Sequence, residues 1–258
     1  CKNQFFPILG VINKCYRNNT LGSTSVALML SINRLFGTWK NKVDAFVTLS
    51  NFAKNKFIEA GLPKKKIFVR QNFLFTDPLP GYHSEKFFLT IGRFSTEKGI
   101  LEIIDLWKKF DIQCELKIIG GGPLEEEIIS KIRNQSKIEL IGFMSHSQVI
   151  EIMKMSYGLI MNSKWYEGMP RVLIEAFATA TPVIVPDLGV FQEMVFEMKN
   201  GLLFSPGNEF EMLKCIKFAL TSPNQWFEFG NSGRKSFIDK YSEKEAYQSL
   251  INIYEAIK

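Results

Sequence analysis

Side chains suited to metal or redox chemistry are scarce in this sequence, with two histidines and four cysteines among 258 residues. Cys1, Cys15, Cys114 and Cys215 lie far apart, without metal-ligand or redox spacing. Reduced thiols in a cytosolic protein are the economical reading. No apolar run approaches the length of a membrane-spanning helix, Val26 to Leu30 being the longest block near the N-terminus. A signal-peptide pattern, internal repeats and low-complexity tracts are also lacking. The chain opens on Cys1 rather than Met, so a processed or truncated product is expected.

Acidic residues are short at one end. Residues 1–80 carry 3 Asp+Glu against 12 Lys+Arg, whereas the remainder carries 23 against 20. A basic N-terminal part suits an anionic neighbour such as a membrane surface or a phosphorylated lipid, and is equally read as a solvated face. Nucleic acid is the least favoured partner, because no nucleic-acid motif accompanies the charge.

Apolar patterning, by contrast, is plentiful. At 46% hydrophobic, the chain can bury a full core in one large or two smaller domains. Residues 1–20 read as irregular. Ser23 to about Lys40 reads as a helix, Val43–Leu49 as a strand, Ser50–Gly61 as a capped helix and Lys66–Arg70 as a short strand. The cluster Asn72, Asp77, Pro78, Pro80 and Gly81 reads as a linker, which places a domain boundary at residue 80.

Beyond it, strands at 87–91, 115–119, 138–141, 159–161 and 183–185 alternate with helices at 98–110, 124–134, 148–155 and 171–180. Three closing helices follow near 208–221, 223–240 and 243–257. Short apolar strands separated by helices of this length imply a doubly wound parallel sheet of the α/β class. Ligands bind such sheets beyond the C-terminal ends of the strands.

Three loops at those ends carry chemistry. In Gly92-Arg93-Phe94-Ser95-Thr96-Glu97-Lys98-Gly99, Arg93 and Lys98 straddle a helix start, where free N–H groups and the dipole already favour phosphate. Gly120-Gly121-Gly122-Pro123 lets backbone come close to a ligand, with Pro123 expected to begin the next helix. It misses the dinucleotide fingerprint, because Glu125 stands where the third glycine belongs. In the loop and helix from Asn162 to Ala180, Pro170 is expected at the first helical position. Glu167 and Glu175 are acids near that positive helix end. Glu175 has Leu173, Ile174, Ala176, Phe177 and Ala178 around it, and a carboxylate in such surroundings needs a partner or a ligand. Two cations, a glycine turn and two carboxylates along one sheet edge describe a sugar-nucleotide site.

On these residues the chain resembles a retaining glycosyltransferase of the GT-B fold, from glycosyl transferases group 1 (family 4). The matching stretches are Gly92-Arg93 with Glu97-Lys98-Gly99, Gly120-Gly121-Gly122-Pro123, and Glu167-Gly168-Met169-Pro170 to Glu175-Ala176. The glutamate pair with seven residues between is that family's signature. The resemblance runs from about Phe87 to the C-terminus and reaches back through Ser50-Asn51-Phe52 and Pro63 to Asn72.

That resemblance implies a Rossmann-like C-terminal sugar-nucleotide domain at 81–258 and part of an acceptor-side N-terminal domain at 1–80. It implies that Arg93 and Lys98 hold the donor diphosphate in place of a metal, so that neither metal nor cofactor is expected. Glu167 would contact the donor sugar beside the N–H groups of Gly168 and Met169, and Glu175 the ribose. Gly92 and the glycine turn would lie along the donor, with the base near Gly142 and Phe143.

The acceptor would be a saccharide or a lipid-linked molecule in cell-surface polysaccharide synthesis, in a bacterial-type cytoplasm or at the inner face of the membrane. The family's early glycine loop and N-terminal histidine have no counterpart, and His83 and His146 read as structural or solvent-facing. About 80 residues are too few for the acceptor domain, so a fragment with exposed apolar surface is expected, needing a separate N-terminal half. A non-catalytic sugar-nucleotide-binding module is the alternative. The broken glycine fingerprint disfavours a nicotinamide-dependent oxidoreductase.

Overall fold

The computed structural model describes residues 5–257. Cys1 lies outside them; Cys15 is a free, exposed thiol, and Cys114 and Cys215 are free and buried. Burial pushes both buried thiols up to about 12. The chain divides into two compact units, Cys1–Arg70 with Ile251–Lys258, and Gln71–Leu250.

In the first unit, the stretch expected to be irregular contains helix α1 (Ile8–Ile12). Helix α2 (Thr20–Leu35) starts before Ser23, because the Asn19 side chain accepts the Gly22 N–H and caps it there. Gly37, with φ of 61°, separates α2 from the short helix α3 (Thr38–Asn41), so the single helix expected to residue 40 is two. Leu21, Leu28, Ile32, Leu35 and Phe36 of this region are exposed. Strand β1 (Phe46–Thr48), helix α4 (Asn51–Glu59) and strand β2 (Ile67–Val69) follow, with β1 and β2 parallel. Ser50 caps α4 by accepting the Ala53 N–H.

The second unit alternates regularly. It comprises β3 (Phe87–Arg93), α5 (Ile100–Lys109), β4 (Glu115–Gly121), α6 (Glu125–Ile132), β5 (Ile138–Gly142), α7 (His146–Met155), β6 (Gly158–Ile160), α8 (Arg171–Ala178) and β7 (Val183–Pro186). A short helix α9 (Phe191–Met194) and a sixth strand β8 (Leu202–Phe204) come next, then α10 (Glu209–Thr221), α11 (Pro223–Lys240) and α12 (Glu243–Ala256), whose residues from Ile251 on belong to the first unit. Neither α9 nor β8 is expected from the sequence. Among the described residues, no helix is long and apolar enough to cross a membrane.

The sheet runs β5-β4-β3-β6-β7-β8, with every pairing parallel. Counted from β3, this is the 3-2-1-4-5-6 order of a Rossmann-like sheet. Helices cover both faces of such a sheet, which is why β6 and β7 are continuously apolar and wholly buried. Phe88 anchors the core, its ring edge-on to Trp107, Tyr157 and Trp226. At the outer margin of β8, the Leu203 N–H donates to Glu197 and its carbonyl accepts from the Cys215 thiol; the Ser205 N–H donates to Glu211.

The expected linker is ordered. The Asn72 side-chain amide donates to the Met169 carbonyl at 2.8 Å, and Asp77 takes a two-pronged ion pair from Arg234. The Gly81 N–H donates to Thr179, and those of Tyr82 and His83 to Lys154. These bonds hold residues 71–85 within the second unit, so the compact units divide after Arg70 rather than at residue 80.

Candidate functional site

The strand order reverses between β3 and β6, and the loops leaving the ends of both strands meet there. Two bonds stitch them together. The Lys164 N–H donates to the Glu97 carbonyl at 2.8 Å, and the buried Asn162 side chain donates to the Gly99 carbonyl at 3.1 Å. Gly99 has φ of 63°, and a Cβ there would collide with Asn162. Only glycine permits that approach.

Stitched in this way, the loops bring Lys98 to Glu167. Lys98 Nζ donates to Glu167 Oε1 at 2.5 Å, and the Ser163 hydroxyl donates to the same oxygen at 2.6 Å. Both charged side chains are partly exposed, at 28% and 18%. One residue before Lys98, the Ser95 hydroxyl donates to Glu97 and holds that carboxyl below its ordinary value, with help from the charges of Arg93 and Lys98.

Arg93 is exposed and borders a hollow. The hollow, about 310 Å³, is lined by Gly92, Arg93, Gly120, Gly121, Phe143 and Val149 among others. It joins the ends of β3, β4 and β5. Phe143 stands at this hollow 89% exposed, as few large apolar side chains do. Gly142 precedes it with φ of 85°, where β5 slips register against β4.

The glycine turn serves the fold as well as the hollow. A Cβ on Gly120 would strike the Gly92 carbonyl oxygen, and one on Gly122 would meet the backbone of Phe94 at 2.8 Å. What approaches these two glycines is therefore the end of β3. Gly121 has room, its nearest neighbour being Glu125 Oε2 at 3.6 Å. Pro123 stays in the turn, and α6 begins at Glu125 behind Leu124.

Gly168 is exposed, whereas Met169 and Pro170 are buried. Pro170 is the cap residue rather than the first helical one, since α8 opens at Arg171. Five residues into α8, Glu175 is only 6% exposed. Its partner is His146, the first residue of α7, whose Nε2–H donates to Glu175 Oε1 at 3.0 Å. His146 is thus not merely solvent-facing. The capping box of Ser145 and Gln148 fixes that helix start. His83 remains structural: Nδ1–H donates to Ser156 at 2.9 Å, its ring stacks on Phe227, and burial lowers its pKa.

The structure therefore joins Lys98 to Glu167, gathers Arg93, Gly92, Gly120, Gly121 and Phe143 around one hollow, and ties Glu175 to His146. Asn162, Ser163, Asn72 and His146 are the residues that sequence reasoning misses. Their signal lies in pairings across distant loops, apart from the apolar surroundings of Glu175, which demand some partner. Among the described residues, no three His, Cys, Asp or Glu side chains converge as a metal site would require.

Comparison with known proteins bears on this arrangement. The family model for glycosyl transferases group 1 matches residues 76–236. An uncharacterised glycosyltransferase of Methanocaldococcus jannaschii is 29% identical over 216 residues, which cover 83% of this chain and 60% of that protein. The poly(ribitol-phosphate) alpha-N-acetylglucosaminyltransferase of Staphylococcus aureus is 23% identical over 84% of this chain and 45% of its own length. The chain thus spans less than two thirds of either relative. Among solved structures, Anabaena HepE in complex with UDP matches with a TM-score of 0.79 at 17% identity, covering 90% of this chain and 68% of that one. That is a likeness of fold.

Proposed function

This chain belongs to the glycosyl transferases group 1 family, and we propose that it binds a nucleoside-diphosphate sugar and passes the sugar, with retention of configuration, to a saccharide or lipid-linked acceptor. The observation that carries the reading is the cation at the switch point: Lys98 held against Glu167, with Arg93 on the adjoining hollow. In this reading the bond from the anomeric carbon to the diphosphate breaks, and its electron pair leaves with the diphosphate. Arg93 and Lys98 stabilise the growing negative charge in the role a metal fills elsewhere. The acceptor hydroxyl forms the new carbon–oxygen bond and passes its proton to the departing diphosphate.

Glu167 receives the donor sugar's hydroxyls, flanked by Gly168 and Met169, and Glu175 receives the ribose. The base lies against Phe143 and the ends of β3 and β4. The UDP bound by Anabaena HepE and the poly(ribitol-phosphate) named for the S. aureus relative support a nucleotide donor and a polymeric acceptor. The basic N-terminal part favours work at the inner face of a membrane.

A second reading keeps donor binding without transfer. Calorimetry with UDP, ADP and GDP tests donor binding, and Arg93→Ala/Lys98→Ala should abolish it. Transfer assayed with and without an N-terminal half then separates the two readings.

A further inference from the structure

Glu175 is a carboxylate with 9% of its side chain exposed, in a helix whose neighbouring residues are apolar and buried. Removing such a group from water is costly unless a donor meets it. Among the described residues one does, the imidazole of His146, and it engages Oε1 alone. Glu175 is not among the residues with a buried, unpartnered oxygen. The small exposed part of the side chain therefore includes Oε2, which has no protein donor.

The imidazole is held from the other side. His146 is the first residue of α7, set by the Ser145–Gln148 box, and Val149, one turn on, lines the hollow beside Arg93 and Phe143. Residues three apart share a helix face, so the histidine sits on the side of α7 that borders the hollow.

We propose that His146 is a positioning residue for the nucleotide: it fixes Glu175 through Oε1 so that Oε2 accepts from the ribose hydroxyls. This rests on the donor reading above and extends it to a residue 29 positions away in the chain. A carboxylate free to rotate would lose part of its advantage on binding, because ordering it then costs entropy. The histidine removes that cost beforehand.

The test compares two probes, uridine diphosphate and its 2′,3′-dideoxy form, with the full chain as wild type, His146→Ala and His146→Gln. Adenosine and guanosine pairs are run alongside. Wild type should prefer the ribose form. In His146→Ala that preference should shrink about tenfold, as for a lost hydrogen bond to a charged group, with dideoxy affinity unchanged. Glutamine, which also offers an N–H, should restore much of it. His146→Ala strips the buried Glu175 of its donor and should lower the unfolding midpoint, whereas His146→Gln, which supplies one, should hold it near wild type; binding is read well below both midpoints. Equal ribose preference in wild type and His146→Ala overturns the positioning role alone. A wild type that binds no nucleoside diphosphate overturns the donor reading and this inference together.

Discussion

Lys98 Nζ lies 2.5 Å from Glu167 Oε1, across 69 residues of chain and at the point where the strand order reverses. A cation proposed for the diphosphate is thus already paired with an acid. A donor arriving there exchanges one anionic partner for another. Charge matching therefore costs little at the moment of binding.

Glu167→Gln separates the roles of the pair. It frees Lys98 while keeping the side chain's shape, so calorimetric affinity for a nucleoside diphosphate should hold or rise. Release of that diphosphate from a sugar donor should fall by about 100-fold, since the acid no longer serves the sugar. Lower affinity together with unchanged turnover would count against the assignment.

In the proposed reading, Arg93 and Lys98 carry the diphosphate jointly. Each single alanine variant should weaken nucleoside diphosphate binding by about tenfold to a hundredfold, as lost charged hydrogen bonds do. Uridine without phosphates should bind all variants alike.

Phe143 is 89% exposed and, among the described residues, stacks on no other ring. Phe143→Ala should leave the unfolding free energy within about 0.5 kcal/mol of wild type. Nucleotide affinity should nevertheless drop by about 1–3 kcal/mol, the worth of a base stacked on an aromatic ring. A stability loss with unaltered affinity would make the ring structural.

Neighbouring glycines should respond oppositely. Gly120→Ala forces a Cβ into the Gly92 carbonyl at φ of 144° and should destabilise by more than about 2 kcal/mol in denaturant unfolding. Gly121→Ala, with its nearest neighbour at 3.6 Å, should be nearly neutral.

His83 makes a pH prediction. Burial depresses its folded-state pKa below the unfolded value, so the folded state binds the proton less readily. Its contribution to stability is full above the unfolded value, about 6.5, and is lost as pH falls through the folded one. Unfolding midpoints should decline as pH falls below about 6.5, and His83→Gln should make that decline shallower.

Much of the second unit is legible in the sequence because a doubly covered parallel sheet writes its strands as short, largely apolar runs. Phe87–Ile91 and Val183–Val185 are such runs, and the structure has them as strands. Leu202–Phe204 is equally apolar but only three residues long. It lies between Gly201 and Ser205-Pro206-Gly207, so local pattern does not set it apart from a turn. Asn19 caps earlier than Ser23 because its side chain reaches the Gly22 N–H, a choice among neighbouring capping residues that composition leaves open. The glutamates and cations of the site stand out by type and spacing, whereas His146 does not. Its contact with Glu175 depends on how α7 and α8 cross, which no spacing along one helix encodes.

The outer margin of β8 has a consequence for how the molecule behaves in company. With Leu203 answered on both its N–H and its carbonyl by Glu197 and Cys215, that flank offers no ladder for a stranger's strand to climb. Partial desolvation makes Glu197, though exposed, take up a proton more readily than an ordinary glutamate, so mild acid is where this guard weakens first. Crowded, acidified solutions are where these molecules should begin to stick to one another.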